Sequence, residues 1–204
     1  DDTYIIADTT DFAIDRVVEA AGQGRDTILA SRNVNLATLE NATGQAIEVE
    51  VVQVMRTTAT QVIGNGTLNQ TLIGNIGDDD LRAGGVNSVL MGGGGNDTYF
   101  IDADDSVVEN AGAGVDTVFF NQATGGGAFT LGANVENLVA NNSTAGFRAA
   151  FAGNGLDNMI VGRNAAFRAK ADGTFARVHT WGLDALASGR AMADRSRSRS
   201  FTKV

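Results

Sequence analysis

The sequence predicts an all-β solenoid: a parallel β-roll or β-helix of short strands, followed by a C-terminal tail that does not repeat. Three observations carry this. Residues 65–73, 74–82, 83–91 and 92–100 form four successive nonamers, each with a large apolar or aromatic residue at its eighth place: Leu72, Leu81, Leu90 and Tyr99. The chain has 26 Gly and no Pro, whereas a flexible linker would draw on both together with Ser, so its glycine is positional. Asp79 and Asp97 stand at the sixth place of alternate nonamers, 18 residues apart.

Within a nonamer the order of residues dictates the local structure. "GGGGNDTYF" runs from Gly92 to Phe100 and sets turn-formers directly against strand-formers. Glycine at the first, second and fourth places allows positive φ and close backbone approach. The three residues after the sixth place are extended, and the middle one points inward onto its counterparts in a parallel sheet. Two nonamers make one circuit, so the turns 74–79 and 92–97 stack and bring Asp79 and Asp97 to the same gap. Glycine-rich turns also expose carbonyl oxygens. Carboxylates and carbonyls together suit Ca²⁺, which takes 6–8 oxygens, better than Mg²⁺, which wants a strict octahedron. On the opposite side Gln70 and Ser88 hold the sixth place, and that gap is expected to be empty of calcium. Without the ion these would be glycine-rich loops carrying a chance Asp.

"GGGGNDTYF" matches GGxGxDxUx, and the chain resembles the repeat-in-toxin (RTX, hemolysin-type) calcium-binding family on this motif. The flanks resemble a longer module that accompanies such repeats: "DTYFIDADDSVVENAGAGVDTV" from Asp97, "TLGANVENL" from Thr130 and "GNGLDNMIVG" from Gly153. An upstream copy begins "DTYIIADTTDFAIDRVVEAAGQGRDTIL" at Asp2; five inserted residues align Asp15, Glu19, Gly22, Gly24 and Asp26 with Asp105, Glu109, Gly112, Gly114 and Asp116. The resemblance covers 1–162, closely around 74–118 and loosely at 30–60. It divides the chain into a first β module at 1–63, the nonapeptide roll at 64–101, a second module at 102–162 and a tail at 163–204. What it implies is a calcium-dependent roll from a larger secreted bacterial protein. That protein would be exported through a one-step (type I) channel and fold outside the cell or on its surface. Carried over by position, the ligands are the carboxylates of Asp79 and Asp97, with backbone oxygens of Gly74, Asn75, Gly77, Gly92, Gly93 and Gly95. Asn75 replaces the second glycine and tolerates a left-handed conformation. Asp102, Asp105, Glu109 and Asp116 are candidates for another ion, or else solvated acids on a strand edge. The rival to a calcium module is a calcium-indifferent spacer or adhesin segment held by Val, Leu and Ile alone.

Charge divides at the same boundary. Residues 163–204 hold nine Lys/Arg against three Asp, a balance of +6, which leaves 1–162 at −15 of the total −9. So acidic a body repels itself unless cations sit on it. The basic tail ends in "RSRSRS" (Arg195 to Ser200), expected to be disordered, with a short helix possible at 184–195. No nucleic-acid role is expected of it. The chain opens on Asp1-Asp2-Thr3-Tyr4, in mid-repeat, which reads as a fragment of a protein with further domains. There is no Cys, which removes disulfides, thiolate zinc sites and cysteine nucleophiles. No apolar run reaches the roughly 18 residues of a membrane span. The single His, His179, has no ligand pair or partnered Ser, and HExxH, GxSxG and phosphate-loop motifs are missing. Polysaccharide chemistry wants aromatic platforms as well as paired acids, and Trp181 is the only Trp. The expectation is that the chain is no enzyme.

Overall fold

The computed structural model of the chain describes residues 1–6, 17, 22–38, 47–66, 69–121, 129–140 and 151–162, together with the backbone of 128, 150, 165–169 and 175–179. In chain order the strands begin β1 (Thr3–Ile6), β2 (Thr27–Ala30), β3 (Val34–Asn35), β4 (Val51–Val54), β5 (Gln61–Ile63) and β6 (Thr71–Ile73). They continue with β7 (Asp80–Arg82), β8 (Val89–Met91), β9 (Thr98–Ile101), β10 (Ser106–Val107), β11 (Thr117–Phe120) and β12 (Ala128–Thr130). The last are β13 (Asn137–Ala140), β14 (Ala150–Ala152), β15 (Asn158–Gly162), β16 (Ala165–Ala169) and β17 (Phe175–His179).

The chain alternates between two parallel sheets as it climbs. One runs β1-β2-β4-β6-β8-β10, and the other runs β3-β5-β7-β9-β11-β13-β15 before continuing into β16 and β17. This is an all-β solenoid. Two nonamers make one circuit, because Thr71 pairs with Val89 and Asp80 with Thr98. Each short strand buries its middle residue and leaves both neighbours partly exposed, the alternation that a pleated strand imposes.

In-register stacking turns those middle residues into rows. One row is Val62, Leu81, Tyr99, Val118, Leu138 and Ile160, and the facing row includes Ile28, Val52, Leu72 and Leu90. All are buried, and a single apolar cluster extends from Ile6 to Ile160. It therefore runs unbroken through the sequence boundaries at 63/64 and 101/102. Burying each such side chain contributes about 1.5–3 kcal/mol. Phe120 extends the core toward a small third sheet, with Phe129 at 4.7 Å and Phe151 at 5.8 Å between ring centroids; those two pair across β12 and β14. On the outer face Phe100 and Phe119 stack at 5.0 Å, and the Arg82 guanidinium lies 4.0 Å over Phe100 while paired to Asp80.

Within the basic segment the described backbone is 165–169 and 175–179. β16 and β17 add antiparallel strands beyond β15, ending the parallel order. Residues 180–204, with Trp181, the 184–195 helix and the Arg-Ser run, lie outside the described residues.

Candidate metal centre

Every circuit must turn twice, and each described turn that enters one of the two parallel sheets ends in a polar residue just before the strand. On the side entering β5, β7, β9, β11 and β13 these residues are Thr60, Asp79, Asp97, Asp116 and Glu136. They form a ladder. The Thr60 N–H donates to Asp79 Oδ1 at 2.7 Å, the Asp79 N–H to Asp97 Oδ1 at 2.7 Å, the Asp97 N–H to Asp116 Oδ1 at 2.8 Å and the Asp116 N–H to Glu136 Oε2 at 2.7 Å. Asp79 and Asp97 thus stack one circuit apart, each using one oxygen to satisfy a buried amide of the circuit before. The opposite side has a partial counterpart. The Asp2 N–H donates to Asp26 Oδ1, the Asp26 N–H to Glu50 Oε2 and the Ser88 N–H to Asp105 Oδ1, with Gln70 tied to the Val49 carbonyl.

The second oxygen distinguishes the rungs. Asp79 Oδ2 accepts the Asn75 N–H at 2.7 Å, so both of its oxygens are engaged. Asp97 Oδ2 and Asp116 Oδ2 are buried and meet no donor. Glu109 joins them: one ligand oxygen from each of Asp97, Glu109 and Asp116 lies within 4.8 Å of the other two, and all three residues are buried. One ion at about 2.3–2.6 Å from each oxygen can bridge that spacing.

Glu109 reaches the site because the repeat breaks there. The turns 74–79 and 92–97 have six residues, but the segment between β10 and β11 has nine, 108–116. The ladder step lengthens from 18 residues at Asp79–Asp97 to 19 at Asp97–Asp116. The extra length folds Glu109 inward, where it accepts a hydrogen bond from the Tyr99 hydroxyl and another from the Asn110 N–H at 3.2 Å. Gly92 makes the room. A Cβ at that position would collide with both Asp97 Oδ2 and the Tyr99 hydroxyl.

The electrostatics are those of buried like charges. Burial pushes the Asp97 carboxyl up to about 7; the Asp79 N–H pulls it down, and the Asp116, Asp79 and Asp78 carboxylates add to the rise. Burial likewise pushes Glu109 to about 7, helped by Asp116 and Asp97. Asp116 is raised by burial, against the pull of the Asp97 N–H, with Glu136 and Asp78 adding to the rise. A cation among these oxygens would offset the repulsion and occupy the two free lone-pair sites.

The other sequence candidates fall in different places. Asp102 and Asp105 lie on the turn before β10, on the opposite side from Glu109 and Asp116. Asp105 Oδ1 accepts the Ser88 N–H at 2.9 Å and Oδ2 the Asp102 N–H at 3.0 Å, while Asp102 Oδ1 accepts the Asp104 N–H. The four acids grouped together in sequence are therefore split between two edges. Of the turn residues, Gly93 and Gly95 take the expected positive φ, at 108° and 116°. Gly74, Gly77 and Gly92 do not, and neither does Asn75, where a left-handed backbone was expected. Asn75 shapes its turn by side chain instead: Oδ1 accepts the Gly77 N–H at 2.7 Å. Its carbonyl accepts the Gly94 N–H of the next circuit at 2.7 Å. Tyr99, Asp78 and Glu136 are the residues at this site that the sequence candidates did not include. The eighth-place pattern marks Tyr99 as core, and only its hydroxyl, set among purely apolar row-mates, hinted at a polar partner.

Fold and site together define a β-solenoid with a buried acidic cluster at one edge. Comparison of the chain with family models, with curated proteins and with solved structures gave no match.

Proposed function

We propose that the chain is a calcium-binding β-roll module of a secreted bacterial protein, one that orders when it meets calcium outside the cell. The observation that carries this is the convergence of Asp97, Glu109 and Asp116 with two buried carboxylate oxygens that meet no donor. The resemblance of Gly92–Phe100 to the repeat-in-toxin nonapeptide supports calcium as the ion, and with it type I export. Carboxylate oxygens set by an irregular turn suit calcium over Mg²⁺, which demands a strict octahedron.

The physical mechanism is charge neutralisation. Without an ion, the acids at this edge repel one another and are desolvated. With millimolar Ca²⁺ and a site of about 10⁻⁴ M affinity, binding stabilises the folded chain by about 1.4 kcal/mol, a useful margin for a marginal domain. No catalysis is assigned to this chain; the activity of a parent protein would reside in its other domains.

Isothermal titration with Ca²⁺ tests the proposal. One site is expected, weakened at least about tenfold by Glu109→Gln and by Asp116→Asn. Asp79→Asn, whose carboxylate oxygens are both engaged by amides, should change affinity far less. The second reading, a calcium-indifferent spacer or adhesin segment, is favoured by one observation: the apolar rows from Ile6 to Ile160 form one continuous cluster that includes none of these acids. Absence of calcium heat, with the same β circular dichroism in EDTA as in calcium, would select the spacer.

A further inference from the structure

We infer that the open edge of β1 is a docking site for a nonapeptide-repeat strand of another polypeptide, which adds there as a further parallel strand. The molecule contains one arrangement twice. The Asp2 N–H donates to Asp26 Oδ1 and the Asp26 N–H to Glu50 Oε2, as the Asp97 N–H does to Asp116 Oδ1 and the Asp116 N–H to Glu136 Oε2. The Arg25 N–H donates to Asp1 Oδ1 as the Val115 N–H does to Asn96 Oδ1. Gly22 and Gly112 hold the matching turns at φ 75° and 71°. Thr3 and Tyr4 pair with Thr27 and Ile28 as Thr98 and Tyr99 pair with Thr117 and Val118. β1 is therefore the counterpart of β9.

The two strands differ on their other side. β7 covers β9, with Asp80 opposite Thr98, Leu81 opposite Tyr99 and Arg82 opposite Phe100. There the Thr98 N–H donates to the Asp79 carbonyl, the Ala83 N–H to the Phe100 carbonyl and the Asp79 N–H to Asp97 Oδ1. Among the described residues β1 is the outermost strand of its sheet. The Asp2 and Ile6 carbonyls serve β2, so alternation leaves the backbone groups of Thr3 and Ile5 on the open side. Both residues are exposed, Ile5 at 75%, and Tyr4 is only half-buried where Tyr99 is fully buried. Unpaired N–H and C=O groups on an edge are a template for a further strand. The counterpart shows which strand fits. It follows a turn whose last N–H reaches Asp2, and it lays a large apolar residue over Tyr4. Nonamers 65–73 and 74–82 cover β8 and β9 in this way. Each of β6 to β9 already has a neighbour on both sides, so the added strand comes from another polypeptide. Beside a body of −15, a nonamer without acids suits the edge best, and 65–73 is one.

A fluorescent synthetic peptide with the sequence of 65–73, NGTLNQTLI, titrated against the full chain and followed by anisotropy, tests this. Saturable binding of one peptide per chain is expected, with the same residues in scrambled order at least about tenfold weaker. Ile5→Pro removes an edge N–H and should weaken the peptide at least about tenfold. Asp2→Ala removes the acceptor for the turn and should weaken it about three- to tenfold. That side chain is exposed and the Asp2 N–H still reaches Asp26, so the melting temperature should not move, which keeps the test sound if the proline variant folds poorly. Leu156→Ser, exposed in the turn before β15, should leave the peptide's affinity unchanged. No binding, equal binding of the scrambled peptide, or affinity indifferent to both Ile5→Pro and Asp2→Ala would overturn the inference. None of these outcomes bears on the cation site, which lies between β9 and β11.

Discussion

At Asp97, Glu109 and Asp116 the carboxyls are raised above their ordinary range, so protons bind the folded chain more tightly than the unfolded one. Without metal, stability from these groups is greatest below about pH 4 and is lost as pH rises toward about 7, where Asp97 and Glu109 titrate. Thermal melts in EDTA should show the melting temperature falling across that window, and calcium should remove most of the fall. A flat profile in EDTA would contradict it. Gly92 is the second residue-scale test. Its φ is not positive, so Ala is tolerated by the backbone, but the new methyl enters the space of Asp97 Oδ2 and the Tyr99 hydroxyl. Gly92→Ala should cost about 1–3 kcal/mol of stability from overpacking and should weaken calcium at least about tenfold by titration. At this scale the sequence was legible where spacing alone decides a neighbour, as for Asp79 and Asp97. It was not legible for Glu109, whose neighbours depend on the path of a nine-residue turn.

At the scale of the element, a ladder rung has two separable jobs. Asp116 Oδ1 satisfies the Asp97 N–H, while Oδ2 adds uncompensated negative charge. Asp116→Ala should therefore destabilise the metal-free chain by about 1–3 kcal/mol, the cost of an orphaned buried amide. Asp116→Asn keeps the acceptor and removes the charge, so in EDTA at pH 7 it should melt no lower than the parent, and in calcium it should melt lower. Denaturation curves of both variants in both media check this; identical behaviour of Ala and Asn would deny the ladder its amide role. In the core rows, Leu81→Ala should cost about 2–5 kcal/mol, because neighbours above and below cannot close on the cavity. The strands at 71–73, 80–82, 89–91 and 98–101 follow directly from nonamer spacing, since a period of nine leaves room for one turn and one short strand. Asn75 shows the limit: a side-chain turn and a left-handed backbone serve the same turn, and local composition does not choose between them.

At the scale of the whole molecule, stacking makes stability a sum of nearest-neighbour terms along one axis. An ion bridging the turns 92–97 and 108–116 should tie two successive circuits and act mainly on them. Hydrogen exchange with and without calcium should show the largest gain in protection at β9 and β11, with smaller gains at β1 and β15. A uniform gain along the chain would mean that the ordering proposed for calcium takes in the whole solenoid at once. The charge balance of −15 in the body also acts at this scale, and weakens with added salt.

By itself the sequence determined the solenoid, the two-nonamer circuit and the inward row of Leu72, Leu81, Leu90 and Tyr99, because those follow from periodicity, and periodicity is a property of order along the chain. The tertiary structure alone decided which acids share a space. Glu109 sits beside Asp97 and Asp116, while Asp102 and Asp105 face the other edge, because a turn's length and curl, rather than its composition, determine where its side chains end.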